Sequence, residues 1–507
     1  MKRISVKQSH SNTTRHRNKV ASRHAMAGHW RTQPKPMFGT GRVHYEVGTH
    51  TDVMSYGGMG AVHRLMTKLG LPKTIDATLQ LLKVHLPYHE SDHVLNLAYN
   101  VLCGGTRLED IERLRHDTAY MNALGADLIP DPTTAGDFTR RFGEADVVEL
   151  MECINAVRPS LWRTRARDLL GPVAYIDVDG TMAPTHGKKK AGMDISYKGV
   201  WGYAPLIVSL ANTKEVLYLV NRPGNATSHQ GAAAWIDAAI DLVQPHTERL
   251  CLRGDTDFSL TAHFDRWAEI CDFIFGMDCN SALRNRAEAL EESAWRRLQR
   301  PHYETQTGQT RQRQKNEKQR IVKERGYVEL ELNFEDVAEF DYQPTKCQRP
   351  YRVVALRKNI SKMKGEQALF DEIRYFFYIT TRRDLSAAEV VCCANERCDQ
   401  ENVIEQLKNG VNALRLPVYD LISNWAYMVM AALAWNIKSW FALMMHRLSD
   451  RRQYIRMEFR AFLNRIILLP CRVIRRARRT TLRIIGYQPT LDRLFSTWCT
   501  IERTGFT

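Results

Sequence analysis

Asp177 and Asp179 lie two residues apart and follow the apolar run Val173-Ala174-Tyr175-Ile176. On a strand, residues i and i+2 face the same side, so both carboxylates can project from one face. A second pair, Asp255-Thr256-Asp257, follows Leu250-Cys251-Leu252 in the same way. A third acidic site is the series Arg397, Glu401, Glu405 and Lys408, which helical spacing would place on one stripe. A stripe of alternating charge is ordinarily a solvated face with modest ion pairs. Metal chemistry is the alternative. Two Mg²⁺ ions need several hard carboxylate oxygens at one point. Such a pair clamps the attacking and leaving oxygens of a phosphoryl displacement. Two Asp at the ends of neighbouring strands and a Glu from a covering helix would supply those ligands. Arg397 and Lys408 could then hold nearby DNA phosphates.

The elements that must position these acids read as α/β. Val173–Ile176, Leu206–Leu210 and Val216–Val220 are strand-like, and Asn212-Thr213-Lys214 suits a hairpin turn between the last two. Residues 229–244 read as an amphipathic helix, and Leu250–Leu252 as a further strand. Upstream, Val94, Leu95, Ala98, Val101 and Leu102 recur at helical spacing, and Asp131-Pro132-Thr133-Thr134 opens another helix. Residues 296–325 are polar and read as a solvated helix or linker. Strand-like runs follow at Tyr327–Leu332, Arg352–Arg357 and Arg374–Thr380. Trp425 to Met445 is strongly apolar, but Asn436 and Lys438 inside it favour a buried helix over a membrane span. Trp425, Trp435 and Trp440 are expected to pack that helical layer on the sheet. The expected organisation is a basic disordered arm at 1–50 and a helical region at 51–168 that could hold a DNA-binding unit. A catalytic core at 169–280 follows, then an insertion at 281–369. A second core segment with the glutamate helix spans 370–448, and a basic helical region spans 449–507.

Charge points to the partner. The 507 residues carry 72 Lys+Arg against 56 Asp+Glu, a net charge of +16. Residues 1–42 hold ten of these cations, including Arg15, Arg17 and Lys19, and no acid. Residues 447–483 hold twelve Arg against Asp450 and Glu458. The rest of the chain is therefore slightly acidic, at −4. Basic ends around a near-neutral body suit a polyanion, most simply nucleic acid. Hydrophobic content of 44% excludes a wholly disordered chain and a polytopic membrane protein. The eleven cysteines show no pair of CxxC motifs, and no HxxxH partner for them is expected; they read as reduced core residues of a cytoplasmic protein. The N-terminus carries charge but no apolar segment of a secretory signal.

On these residues the chain resembles the DDE transposases of bacterial insertion sequences, in the cut-and-paste branch. Asp179-Gly180-Thr181 is similar to the family's first motif, and Arg253-Gly254-Asp255-Thr256 to its second. Arg397, Glu401 and Lys408 fit the last motif, Tyr-x2-Arg-x3-Glu-x6-Lys, whose tyrosine position is Ala394 here. Arg222-Pro223-Gly224-Asn225 also resembles the family. The resemblance covers roughly residues 170–448. It implies an RNase H-like core, a mixed sheet flanked by helices and interrupted by a β-rich insertion. It implies Asp179, Asp255 and Glu401 as metal ligands and catalytic residues, preferred over Asp177, Asp257 and Glu405, with Asp177 kept as a further candidate ligand. It implies two Mg²⁺ ions, which Mn²⁺ could replace. It also implies Arg397 and Lys408 at the DNA, and a homodimer that pairs two inverted-repeat ends. Two other readings compete. Asp177-Val178-Asp179-Gly180-Thr181 also resembles the first motif of haloacid-dehalogenase-like phosphatases, where Asp177 would be the nucleophile and Asp179 the general acid/base. The other is a catalytically inactive DNA-binding relic.

Overall fold

Between Asp168 and Leu169 the chain passes from one structural unit to another. The computed structural model describes residues 14, 15, 17–23, 25, 43–46, 52–185, 187, 189–196, 198–299, 328–364, 367–476, 479–486 and 488–506. One unit comprises Met1–Asp168 and Gln406–Thr507, the other Leu169–Glu405. Most of the basic arm and of the 296–325 segment lies outside the described residues. Within the arm, residues 14, 15 and 17–23, which include Arg15, Arg17 and Lys19, are helical and exposed.

The first unit begins with helices α1 (Met59–Leu69), α2 (Leu71–Thr78), α3 (Glu90–Leu102) and α4 (Glu144–Ala156). Met59, Val62, Leu65, Met66 and Leu69 bury one face of α1. Gly70, at φ 77°, ends that helix in the left-handed region that glycine enters without Cβ strain. Both α3 and α4 pack on α2.

The second unit is built on β1 (Ala174–Gly180), β2 (Leu206–Leu210), β3 (Glu215–Val220), α5 (Ala232–Val243), β4 (Leu250–Gly254), α6 (Phe264–Ile270) and β5 (Asp272–Met277). β1 pairs antiparallel with β2 and parallel with β4, β2 antiparallel with β3, and β4 parallel with β5. The order β5-β4-β1-β2-β3 is that of an RNase H-like core. The parallel strands are crossed over by α5 and α6, and their Leu250–Gly254 and Phe273–Gly276 stretches are buried throughout.

Three long strands follow: β6 (Val328–Tyr342) and β7 (Tyr351–Lys364) lie in the expected insertion, and β8 (Gln367–Thr380) runs from its end into the expected second core segment. They extend the same sheet, because β8 pairs antiparallel with β5 from Phe377↔Met277 to Thr380↔Ile274. Tyr351–Leu356 of β7 are buried, whereas most of its later residues are partly exposed.

Helix α7 (Ala387–Asn395) starts in a capping box of Ser386 and Glu389. Helix α8 (Cys398–Glu405) follows after a turn at Glu396–Arg397, and Gln406–Gly410 is a π-helical turn. This corrects the single helical stripe from Arg397 to Lys408. The turn precedes it, and the wider π turn changes the phase before Lys408.

The first unit resumes with α9 (Leu421–Leu443), buried from Ser423 to Leu443 and packed on α1, α3 and α4. Trp425, Trp435 and Trp440, expected to pack on the sheet, lie on this helix of the helical unit. Two of its buried polar residues find partners, whereas Ser439 Oγ is buried without a hydrogen bond. Asn424 donates to Val418 O and Asp420 O, and Lys438 donates to Ile455 O beside the Trp435 ring. No described helix is long and apolar enough to cross a membrane. The C-terminal region, expected to be helical, also holds a hairpin of β9 (Cys471–Arg476) and β10 (Arg479–Ile484), before α10 (Leu491–Arg503). Cys471 and Val473 are buried while Arg472 is exposed. That alternation is a strand period, obscured in the sequence by the density of arginines. All eleven cysteines are unpaired.

Candidate active site

The alternation of side chains along two adjacent parallel strands builds the site. Tyr175, Asp177 and Asp179 share one face of β1, and Cys251, Arg253 and Asp255 follow the same period along β4 and just past its end. The register sets Tyr175 opposite Cys251 and Asp177 opposite Arg253. Polarity rises along this face. Cys251 is in the apolar cluster with Val390, Val391 and Cys393 of α7, and Tyr175 packs against it.

The next rung is a sealed ion pair. Arg253 Nε donates to Asp177 Oδ1 at 2.7 Å and its Nη2 to Oδ2 at 3.0 Å. The two side chains are 3% and 1% exposed. Arg253 Nη1 also donates to Cys393 O at 3.0 Å, near the C-terminus of α7, and the guanidinium stacks on Tyr175 at 4.5 Å. Burial pulls against the charge on Arg253, but Asp177 more than offsets it and raises the arginine pKa. Asp177 therefore holds Arg253, and Arg253 anchors the covering helix. Both oxygens of Asp177, kept as a further candidate ligand from the sequence, are engaged by one buried arginine.

The last rung reaches the rim. Asp179 Oδ1 accepts from Gly180 N at 2.8 Å, and its Oδ2 accepts from Arg397 Nη1 at 2.9 Å. Asp179 and Arg397 are 16% and 17% exposed. Burial pushes the Asp179 carboxyl up to about 6; Arg397 opposes the shift and the charge on Asp255 adds to it. Asp255 is raised in the same sense, by burial first, with Arg397 opposing and Asp257 and Asp278 adding. Asp255 Oδ1 also accepts from Asp257 N at 3.0 Å, fixing the turn Thr256–Phe258. Asp278 directly follows β5, so three neighbouring parallel strands each lead into an acid. Two carboxylates that burial and neighbouring acids make hard to ionise are a donor set suited to a divalent cation.

Glycine enters the second motif for a steric reason. A Cβ on Gly254 would stand 2.8 Å from Phe258 Cβ and 3.0 Å from the Phe275 ring. In Arg222-Pro223-Gly224-Asn225, Arg222 is buried and donates to Ala204 O, Ser228 O and Gln230 O. It thereby folds a loop whose Ser228 would meet a Cβ on Gly180 at 3.4 Å. The structural work of Arg222 and Arg253 was not legible beforehand; their motif positions were the only signal.

Glu401 stands exposed in the first turn of α8. Its neighbour Gln400 is buried and ties that turn to β2, receiving from Ser209 Oγ and donating to Ile207 O at 3.3 Å. The structure does not bring Glu401 together with both aspartates within 4.8 Å. Glu405 is exposed at the end of α8, and Lys408 falls in the π turn of the other unit. Ala394, at the family's tyrosine position, packs on the apolar cluster beneath α7. Among the described residues, the group of His, Cys, Asp and Glu ligand atoms that does converge within 4.8 Å is His85, His89 and Glu90, which sequence reading passed over.

Residues 46–505 match the family model described as Transposase DDE domain, group 1. No curated protein matches the chain. Among solved structures, the chain is similar to the piggyBac transposase in a cryo-EM synaptic complex with hairpin DNA. That likeness has 9% identity and a TM-score of 0.36, and covers 81% of this chain and 80% of the other.

Proposed function

Because the chain belongs to the DDE transposase family over residues 46–505, and so to the polynucleotidyl transferases that act on DNA, we propose that it moves a bacterial insertion sequence by cut-and-paste. It binds the terminal inverted repeats, nicks each end and joins the freed 3′-hydroxyl to target DNA. The observation that carries this reading is the pair Asp179 and Asp255, half-shielded carboxylates at the ends of adjacent parallel strands, both raised in pKa by burial, with the charge on Asp255 adding to the shift at Asp179. DDE domains use divalent metal ions, and the proposed ion is Mg²⁺, two per site, with Mn²⁺ able to substitute. Bound there, it supplies Lewis-acid activation of water or a 3′-hydroxyl and neutralises charge on the phosphate. Asp179 and Asp255 would hold it with Glu401, the proposed third ligand. Arg397 orients Asp179 through their hydrogen bond and places a cation where a DNA phosphate would lie. Lys408, Arg15, Arg17 and Lys19 are proposed further phosphate contacts. A homodimer would pair the two ends, and the protein would act in the cytoplasm at the nucleoid.

The phosphatase alternative needs Asp177 as an accessible nucleophile. Its bidentate pairing with buried Arg253 closes that route. The test is incubation of the purified chain with Mg²⁺ and linear DNA carrying the element's ends. Wild type should cut at those ends and Asp255→Asn should not. Equal cutting by both proteins would defeat the reading, and binding without cutting would identify the relic. Removing residues 1–42 should weaken end binding and flatten its salt dependence, because fewer counterions are released.

A further inference from the structure

We propose that His85, His89 and Glu90 form a binding site for a divalent transition-metal ion of the zinc type, separate from the carboxylates of the sheet. The three residues lie in the helical unit, where the segment between α2 and α3 meets the first turn of α3. Glu90 is the first residue of α3 and is 0% exposed. Its Oε1 accepts the backbone N–H groups of Leu81 and Leu82 at 3.1 and 2.9 Å, which holds the segment down. Its Oε2 is buried and has no hydrogen-bond partner. A buried carboxylate oxygen left without a donor is costly, and such an atom calls for an explanation. Two imidazoles that could share an ion with it are close by. His85 Nε2 stands 3.2 Å from that oxygen, without hydrogen-bond geometry. The His89 ring stacks on His85 at 4.9 Å and 10°. One ligand atom from each of the three residues lies within 4.8 Å of the other two.

The donor set selects the ion. Two imidazoles and one carboxylate match a common zinc arrangement with a fourth position left for water. Imidazole nitrogen favours zinc-type ions over Mg²⁺, which prefers oxygen. Both histidines are exposed, so a small rotation of either ring can complete the geometry without disturbing a core. The remaining anchors of this corner are protein contacts. His89 N donates to Asp92 Oδ2, and Ser91 donates to Asp76 through N and Oγ. An ion at the site would therefore cross-link the α2–α3 segment to α3. That is a structural role, distinct from the metal chemistry at the sheet.

The test uses the full chain, stripped with chelator and titrated with Co²⁺ and then Zn²⁺. To silence the sheet site, the background is Asp179→Asn with Asp255→Asn. One Co²⁺ should bind per chain, with visible d–d bands of a tetrahedral site, no thiolate charge-transfer band, and displacement by Zn²⁺. Adding His85→Asn and His89→Asn should weaken binding by about 100-fold or more while circular dichroism is unchanged. Glu90→Gln, which keeps an acceptor for Leu81 and Leu82, should weaken it in the same direction. No cobalt binding, a thiolate band, or binding undiminished in the double-histidine variant would each overturn the proposal.

Discussion

Two Asp–Arg pairs sit on one face of the sheet, a single rung apart, and they serve opposite ends. Asp177–Arg253 is bidentate and sealed beneath α7, whereas Asp179–Arg397 is a single hydrogen bond at the rim. The residue types are identical, so the difference lies in position along the strand. One rung inward, an acid can persist only by surrendering both oxygens to a fixed cation. One rung outward, an acid keeps lone pairs free and shares its neighbourhood with a second acid, Asp255. In the proposed reading the inner pair is scaffold and the outer pair carries the chemistry.

The strongest way to break this contrast is to neutralise the outer acids. Asp179→Asn and Asp255→Asn should each remove DNA-end cleavage, by about a thousandfold or more, while leaving the fold intact. Gel analysis of cut ends alongside circular dichroism checks both halves of that expectation.

Next in size is the inner pair. Arg253→Met leaves Asp177 buried and unpaired, and should cost about 3–5 kcal/mol in urea denaturation. Combining it with Asp177→Leu should recover most of that loss, because replacing both partners of a buried pair removes the uncompensated charge. A double variant as unstable as the single one would show that Asp177 does more than hold Arg253.

A smaller effect follows from the Asp179 carboxyl at about 6. Unfolded, the same group titrates near 4. Between these values the native state binds more protons than the unfolded one. Stability of the metal-free chain should therefore fall as pH rises from about 4 to about 6, all else being equal. Asp179→Asn should remove this loss and stabilise the metal-free chain above pH 6, on the order of 1–3 kcal/mol. Denaturation of both proteins across that range, with chelator present, is the measurement. The smallest effect is that of Arg397→Gln. It breaks one rim contact and should cost about 1 kcal/mol or less, yet raise the Asp179 pKa further and move the lower limb of the cleavage pH profile upward.

How much of this was legible in the sequence follows from the range of each interaction. Asp179 and Asp255 were readable because strand period and local motif are short-range signals. The role of Asp177 was not, because its partner Arg253 lies on another strand and only the parallel register brings the two together. Helical spacing predicted one stripe from Arg397 to Lys408, but the turn at Glu396–Arg397 and the π turn at Gln406–Gly410 interrupt it. The β9–β10 hairpin was hidden by arginines that occupy its exposed positions. His85, His89 and Glu90 were passed over because a zinc site was sought beside the cysteines, and the His85-x3-His89 spacing lies far from most of them in the chain. The mixed sheet was expected, but not that β6 and β7 of the insertion would extend it through β8, since pairing between Phe377 and Met277 leaves no trace in either segment alone.

The central claim is that metal binds at the outer rung. Iron-directed scission tests it directly: Fe²⁺ replaces Mg²⁺, and ascorbate with peroxide cuts the backbone beside the bound ion. Fragments should map next to Asp179, Asp255 and Glu401, and excess Mg²⁺ or Asp255→Asn should suppress them. Cuts that avoid those three positions, or that persist unchanged in Asp255→Asn, would contradict the account.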